Sequence, residues 1–239
     1  MVSYQRIVLK LSGEMLAGPD GSGLHDPAID FVVDQIEAAK ATGVQMGIVL
    51  GAGNLCRGAG PNPSALSVTR RRLDAMGMLA TGMNAIALHD RLESRGIPAL
   101  HLASAATKGV GIPFDSDLAI QALSEGKVVV FSGGTGLPYF STDTAATMRA
   151  LQIEADALLK GTQADGIYDK DPNRHPDASK FDTIEPSVAL AKGLRFMDLA
   201  AMALCGQHNL PVVVFNAHSE GNLVGVLKGS LVCSRMSNR

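Results

Sequence analysis

The chain has 239 residues, 46% of them hydrophobic and 18% charged, with a formal net charge of -2. That is enough apolar material for a sizeable core in one large domain or two small ones, and the slight acidity speaks against the basic stripe that nucleic-acid backbones require. Aromatics at 4% with no tryptophan speak against stacking platforms for single strands, and the three cysteines, Cys56, Cys205 and Cys233, form neither a zinc pattern nor an even disulfide framework, so a reduced, cytoplasmic setting is expected.

The apolar run that ends at Lys10 is far too short for a signal peptide or a membrane span. Ile7–Leu11 reads as a first strand and runs into Lys10-Leu11-Ser12-Gly13. A lysine at a strand's carboxyl end can set its ammonium against phosphate oxygens, with Ser12 and the Gly13 N–H as further donors. The same run also reads as a solvated lysine before an ordinary turn. Asp26-Pro27 reads as an N-cap and first helical residue, opening a helix to about Thr42 that Gly43 ends.

Gln45–Leu50 is the next strand, followed by Gly51-Ala52-Gly53-Asn54 and then Arg57. Small residues let a backbone approach a phosphate, and Arg57 can add a bidentate fork. The spacing matches neither the dinucleotide fingerprint nor a Walker A loop, and such strand ends are often mere turns. Leu66–Glu93 has helical spacing, Ala99–Leu102 reads as a strand and Asp115–Leu123 as a helix. The strand Val128–Ser132 leads through Gly133-Gly134-Thr135-Gly136-Leu137-Pro138-Tyr139-Phe140 to Ser141, Thr142 and Asp143. Either Ser141 or Thr142 suits the N-cap of a helix Asp143–Ile153, whose N-terminus is a place for an anion.

Ala157–Lys160 is a strand, followed by Gly161-Thr162 and then Asp165-Gly166-Ile167-Tyr168 and Asp171. The strand-end Lys160 followed by Thr162, Asp165-Gly166 and Tyr168 can wrap a purine and its ribose, but by itself Asp165-Gly166 reads as a hairpin turn. Gly166–Pro186 is polar and turn-rich, a lobe with a short hairpin or loop. Asp198–His208 reads as a helix, and Val212–Asn216 and Ser230–Cys233 as strands. This alternation predicts an α/β three-layer sandwich, a mostly parallel central sheet with helices on both faces, forming one domain of two lobes. Four phosphate-compatible turns at four strand ends point to a kinase, since phosphoryl transfer rests on positioning and charge neutralisation.

Lys10-Leu11-Ser12-Gly13-Glu14, Gly51–Gly60, Asp74–Thr81, Gly134–Asp143, Lys160–Asp171 and Phe196–Ala201 together resemble the signature blocks of the bacterial uridylate kinases, in the amino-acid kinase superfamily. The likeness runs in order from about Tyr4 to Leu231. The Asp74–Thr81 and Thr135–Asp143 blocks are the specific ones. The resemblance implies ATP and UMP as substrates, with Mg²⁺ carried on the ATP. It implies Lys10, Leu11, Ser12, Gly13, Gly53 and Arg57 at the ATP phosphates, and Thr162, Tyr168 and Asp171 at the adenosine. It implies Ala52, Asp74 and the run Thr135, Gly136, Leu137, Pro138, Tyr139, Phe140, Ser141, Thr142 at UMP. Lys10, Arg57, Asp143 and Lys160 would carry catalysis, with Asp143 orienting the lysines rather than taking a proton.

On this reading a lobe of about residues 1–155 takes UMP and one of about 156–239 takes the adenosine half. The resemblance further implies a cytoplasmic homohexamer inhibited by UTP. The long apolar-rich Leu66–Glu93 helix can bury a face against its copy or within its own chain, and the sequence alone does not separate the two. Two departures stand out. Ala52 replaces the family's usual Gly, and His89, Glu93 and Leu100 stand where many relatives carry basic or His residues for GTP, so weak or absent GTP activation is expected. Two rivals remain at this level: a kinase of acetylglutamate or aspartate, and a storage protein for oxyanion clusters. The Thr135–Asp143 block speaks against the first, and Lys10, Arg57, Asp74 and Asp143 against the second.

Overall fold

The computed structural model describes residues 4–56, 68–104 and 109–238. In chain order the elements are β1 (Arg6–Leu11), a 3-10 turn (Gly13–Leu16), α1 (Asp26–Lys40), β2 (Gln45–Leu50), α2 (Arg70–Ser94), β3 (Ala99–Ala103), β4 (Ile112–Pro113) and α3 (Ser116–Ser124). Then come β5 (Val128–Ser132), α4 (Thr142–Gln152), β6 (Ala157–Thr162), β7 (Ile167–Tyr168), β8 (Lys180–Phe181) and β9 (Thr183–Ile184). The chain closes with α5 (Pro186–Ala191), α6 (Leu199–Gln207), β10 (Val212–Asn216), α7 (Asn222–Lys228) and β11 (Ser234–Met236).

Among the described residues nine strands form one sheet in the order β4-β3-β5-β2-β1-β6-β10-β11-β9. Every pairing is parallel except that of β10 with β11. The period-2 alternation of side chains divides the core in two. Ile7, Leu9, Leu11, Met46, Ile48, Leu50, Val213 and Phe215 pack on one face beneath α1, α2 and α7. Val8, Val49, Phe131, Leu158, Val212 and Val214 pack on the other beneath α3, α4, α5 and α6. Burying each such Val, Leu or Phe stabilises the fold by about 1.5–3 kcal/mol. This is the expected sandwich with helices on both faces.

The parity of the strands also fixes where the charged residues go. Lys10 follows Val8 and Lys160 follows Leu158 on the same face, at the carboxyl ends of neighbouring strands, where they are direct register partners.

Several local expectations need correction. The last strand is Ser234–Met236, not Ser230–Cys233. Ser230 and Leu231 instead donate their N–H groups to the Gly225 carbonyl, closing the turn after α7. Helix α1 is capped by His25, which moves Asp26 and Pro27 inside the first turn. Helix α2 starts at Arg70, after Val68 and Thr69, while Leu66 and Ser67 lie outside the described residues.

Asp165-Gly166 is no hairpin turn, because β6 belongs to the large sheet and β7 pairs with β8 in a separate ribbon. Gly166 is needed for space: a Cβ there would lie 2.3 Å from Ser234 Oγ and 2.5 Å from Lys180 Cε. The ribbon β7–β8 itself is the short hairpin expected within Gly166–Pro186.

Candidate active site

Helix α4 is opened by Ser141, whose Oγ accepts hydrogen bonds from the N–H groups of Asp143 at 2.9 Å and Thr144 at 3.4 Å. This cap, chosen from local chemistry, places Asp143 in the first turn, facing the two strand-end lysines. Lys10 Nζ lies 3.0 Å from Asp143 Oδ1, and Lys160 Nζ donates to Asp143 Oδ2 at 2.5 Å. The Lys10 contact is an ion pair without hydrogen-bond alignment, so Oδ1 keeps an undirected lone pair. Burial pushes the Asp143 carboxyl up, but the Lys10 and Lys160 charges outweigh it and hold the group below the usual carboxylate range. Burial is the main cause that pulls the Lys160 ammonium down to about 8, helped by the neighbouring Lys10 charge and opposed by Asp143. Two ammonium groups and the positive end of α4 converge here, a site suited to a polyanion.

A second carboxylate fastens this corner. Asp198 caps α6 by accepting from Ala201 N–H at 2.8 Å. It also accepts from Thr144 Oγ1 at 3.0 and 2.9 Å and from Ser141 Oγ. The N-termini of α4 and α6 are thus tied through one side chain, and Asp198 adds a further attraction for the Lys160 charge.

The turns after β1 and β2 interlock behind the lysines. Buried Asn54 and Asn84 exchange hydrogen bonds of 2.9 and 2.8 Å. Asn84 also donates to the Gly51 carbonyl at 2.7 Å, and Asn54 to that of Gly23 at 2.8 Å. A Cβ on Gly13 would stand 2.4 Å from Asn54 Oδ1 and 2.5 Å from Gly51 O, so only glycine lets the two turns close. Ser12 caps the 3-10 turn through a 3.3 Å bond from Glu14 N–H. Gly53 sits against Glu14, where an added Cβ would meet Glu14 Cγ at 3.4 Å.

Beside this centre runs a cleft of about 220 Å³. Ala52, Gly53, Asp74, Thr135, Leu137, Phe140, Ser141 and Thr142 line it, as do Cys56, Arg70, Leu73, Gly77, Met78, Thr81 and Gly134. Most of the residues expected at the acceptor nucleotide are therefore brought together, while Gly136, Pro138 and Tyr139 are not part of this wall. Ala52 is not among the non-glycine residues at positive φ, so its methyl carries no left-handed strain. Tyr139 is one of those residues, at φ +71, and its exposed ring projects outward. Its N–H donates to Asp74 Oδ2 at 2.8 Å while Arg70 Nε holds Oδ1 at 2.8 Å, so Asp74 ties α2 to the glycine-rich loop.

Of the residues expected at the adenosine, Thr162 ends β6, Tyr168 ends β7 and Asp171 lies in the turn that follows. Thr162 Oγ1 donates to the Ala164 carbonyl at 2.8 Å, and Tyr168 OH donates to Asp165 Oδ1 at 2.7 Å. Asp171 is exposed and accepts from Asn173 N–H at 3.0 Å within its own turn. Leu11 is a buried β1 core residue, present through its backbone. Arg57 lies outside the described residues. Sequence reasoning missed Arg70, Thr81, Asn54, Asn84 and the capping role of Asp198; only Asp198 carried a signal, a short polar residue just ahead of a helix.

Residues 5–216 match the amino acid kinase family. The chain is 43% identical over 238 residues to a uridylate kinase of Porphyromonas gingivalis, covering 100% of this chain and 99% of that one. It is 42% identical over 236 residues to a uridylate kinase of Brucella anthropi, covering 99% and 98%. Among solved structures, a UMP kinase from Bacillus anthracis superposes with a TM-score of 0.94 at 28% identity, covering 99% of this chain and 97% of that one. A UMP kinase from Ureaplasma parvum gives 0.91 at 33% identity, with 100% of both chains covered.

Proposed function

The chain belongs to the amino acid kinase family, and we propose that its reaction is transfer of the γ-phosphoryl group of ATP to UMP, giving ADP and UDP. The observation that carries this reading is the Lys10–Asp143–Lys160 cluster beside a cleft lined by Ala52, Asp74, Thr135, Leu137, Phe140, Ser141 and Thr142, in a chain whose full-length relatives are named uridylate kinases.

A UMP phosphate has its second pKa near about 6 and is already largely ionised at neutral pH, so no proton need be removed from the nucleophile. What the reaction needs is two anions held in line and the spreading charge neutralised. Lys10 and Lys160 supply that charge, with Arg57 as a third cation. Asp143 holds both ammonium groups in place, and the α4 N-terminus adds its dipole. Ala52, Asp74 and Thr135–Thr142 seat UMP. Lys10, Leu11, Ser12, Gly13 and Gly53 seat the ATP phosphates, and Thr162, Tyr168 and Asp171 the adenosine. The acceptor thus belongs to residues up to about 155 and the adenosine to those from about 156. Among the described residues no group of three His, Cys, Asp or Glu side chains is arranged for a resident metal. Mg²⁺ enters with the substrate as MgATP, held by the phosphates.

The same reading places the enzyme in the cytoplasm, in pyrimidine nucleotide synthesis, as a homohexamer with feedback by UTP and little response to GTP. The exposed Leu79, Met83 and Ile86 on α2 support burial of that face against another copy. An ADP-release assay comparing UMP, CMP and acetylglutamate tests the reaction. UMP should turn over at least tenfold better than acetylglutamate; turnover of acetylglutamate without UMP activity would refute the assignment.

A further inference from the structure

Arg149, on α4, takes no part in the assignments above, yet it is a charged side chain only 4% exposed. Burying a guanidinium is costly unless its donors are used. Burial pushes its pKa down to about 10, which still leaves it a cation at neutral pH. One arm of the guanidinium, Nη2, leads toward the glycine-rich loop after β5. The guanidinium carbon lies 3.8 Å from the centroid of the Phe114 ring, a cation–π stack that fixes its plane. Nη1 donates to Gln152 Oε1. Nη2 donates to Ser104 Oγ at 2.5 Å and reaches the Gly134 carbonyl at 3.4 Å. Ser104 Oγ then donates to that same Gly134 carbonyl at 2.7 Å.

The Gly134 oxygen is thus gripped from the strand β3 end and from α4 together. Gly133 and Gly134 both take left-handed φ values, +76 and +58, a backbone with little stiffness of its own. One residue earlier, Gly133 N–H is held by Thr81 Oγ1 at 2.8 Å. The Gly134–Thr135 peptide is trans, so its C=O and N–H point in opposite directions. With the oxygen turned toward Ser104 and Arg149, the Thr135 N–H is turned away from them. No protein acceptor takes that N–H among the described residues, although Gly134 and Thr135 both line the acceptor cleft. Thr135 is half-buried at the wall of the cleft, so its N–H is open to an acceptor atom that a ligand brings there.

We propose that Arg149 is a positioning residue: through Ser104 and the Gly134 carbonyl it sets the Gly134–Thr135 peptide so that the Thr135 N–H is presented to a hydrogen-bond acceptor atom of the bound acceptor nucleotide. This rests on the reading of the cleft as the UMP site. Arg149 acts on the alignment of the acceptor, not on the phosphoryl charge, which falls to the lysines. A lysine at this position keeps the charge but loses the planar fork and the ring stack.

The test has two arms. In steady-state kinetics, Arg149→Lys should raise KM for UMP about tenfold with KM for ATP and kcat within about twofold of wild type, and Ser104→Ala should do the same about threefold. A general loss of packing would move both KM values together, and that result, or no change in either, overturns the inference. In amide hydrogen exchange on nucleotide-free protein, both variants should exchange several-fold faster across residues 133–137, with β5 and the centre of α4 unchanged. Unchanged exchange in 133–137 also overturns it. If Arg149→Lys fails to fold, Ser104→Ala decides both arms. If wild-type protein does not phosphorylate UMP, the functional reading falls, and the exchange arm still decides whether Arg149 sets the loop.

Discussion

At the ends of β1 and β6, Lys10 and Lys160 are side chains only 14% and 9% exposed, clamped by one carboxylate on a helix N-terminus. Beyond β6, Tyr168 at the end of β7 is held by Asp165, and Asp171 is held within its own turn and stays 47% exposed. The first region is built from strands and a helix whose positions the core dictates. The second is built from a short two-stranded ribbon and its turns, whose polar groups satisfy one another locally. The difference separates two jobs: charge neutralisation needs rigid, partly dehydrated placement, where each charge acts in a lower dielectric, whereas holding a nucleoside tolerates adaptable loops.

The largest effect should come from the rigid region. Lys10→Ala should lower kcat about 10³-fold, in line with loss of a preorganised charge at a phosphoryl-transfer site. Its fold should survive, because Asp143 keeps Lys160 as a partner. Stopped-time ADP assays together with thermal unfolding check both halves, and a folded variant with near-normal turnover would erase the contrast. In the loop region, Tyr168→Phe should raise KM for ATP only about twofold to threefold, the scale of one exposed hydrogen bond, with kcat unchanged. A tenfold fall in kcat from that variant would mean the two regions are not separate in function.

The elements that position chemistry were legible because their signals are local. Lys10 and Lys160 close short apolar runs, Ile7-Val8-Leu9 and Ala157-Leu158-Leu159, and strand parity sends both to one face. Ser141 and Thr142 both announce a helix start ahead of Asp143, and of the two the cap is Ser141. Hidden from the sequence were contacts between residues far apart in it: Asn54 with Asn84, Asp198 with Ser141 and Thr144, and Arg149 with Ser104. No periodicity encodes such pairs, since they follow from how helices pack on the finished sheet. The misplaced last strand has a related cause. Ser230–Cys233 has the composition of a strand, but its backbone is drawn into the α7 turn, and β10 receives Ser234–Met236 instead.

The claim that Asp143 orients lysines rather than accepting a proton is tested most directly by the pH profile of kcat/KM in wild type and Asp143→Asn. With Lys160 at about 8, wild-type kcat/KM should fall as pH rises through that value and the ammonium is lost. That fall is not unfolding. The folded pKa lies below the ordinary 10.5, so between about 8 and 10.5 the unfolded chain binds more protons, and this group's contribution to stability rises with pH. Without the carboxylate, Lys160 loses an attraction and its pKa drops further. Asp143→Asn should therefore shift the alkaline limb to lower pH, reduce the maximum about 10²-fold, and leave in place the acid limb set by UMP phosphate ionisation near about 6. An alkaline limb that stays where it was, with the acid limb gone, would make Asp143 the proton acceptor and contradict the account.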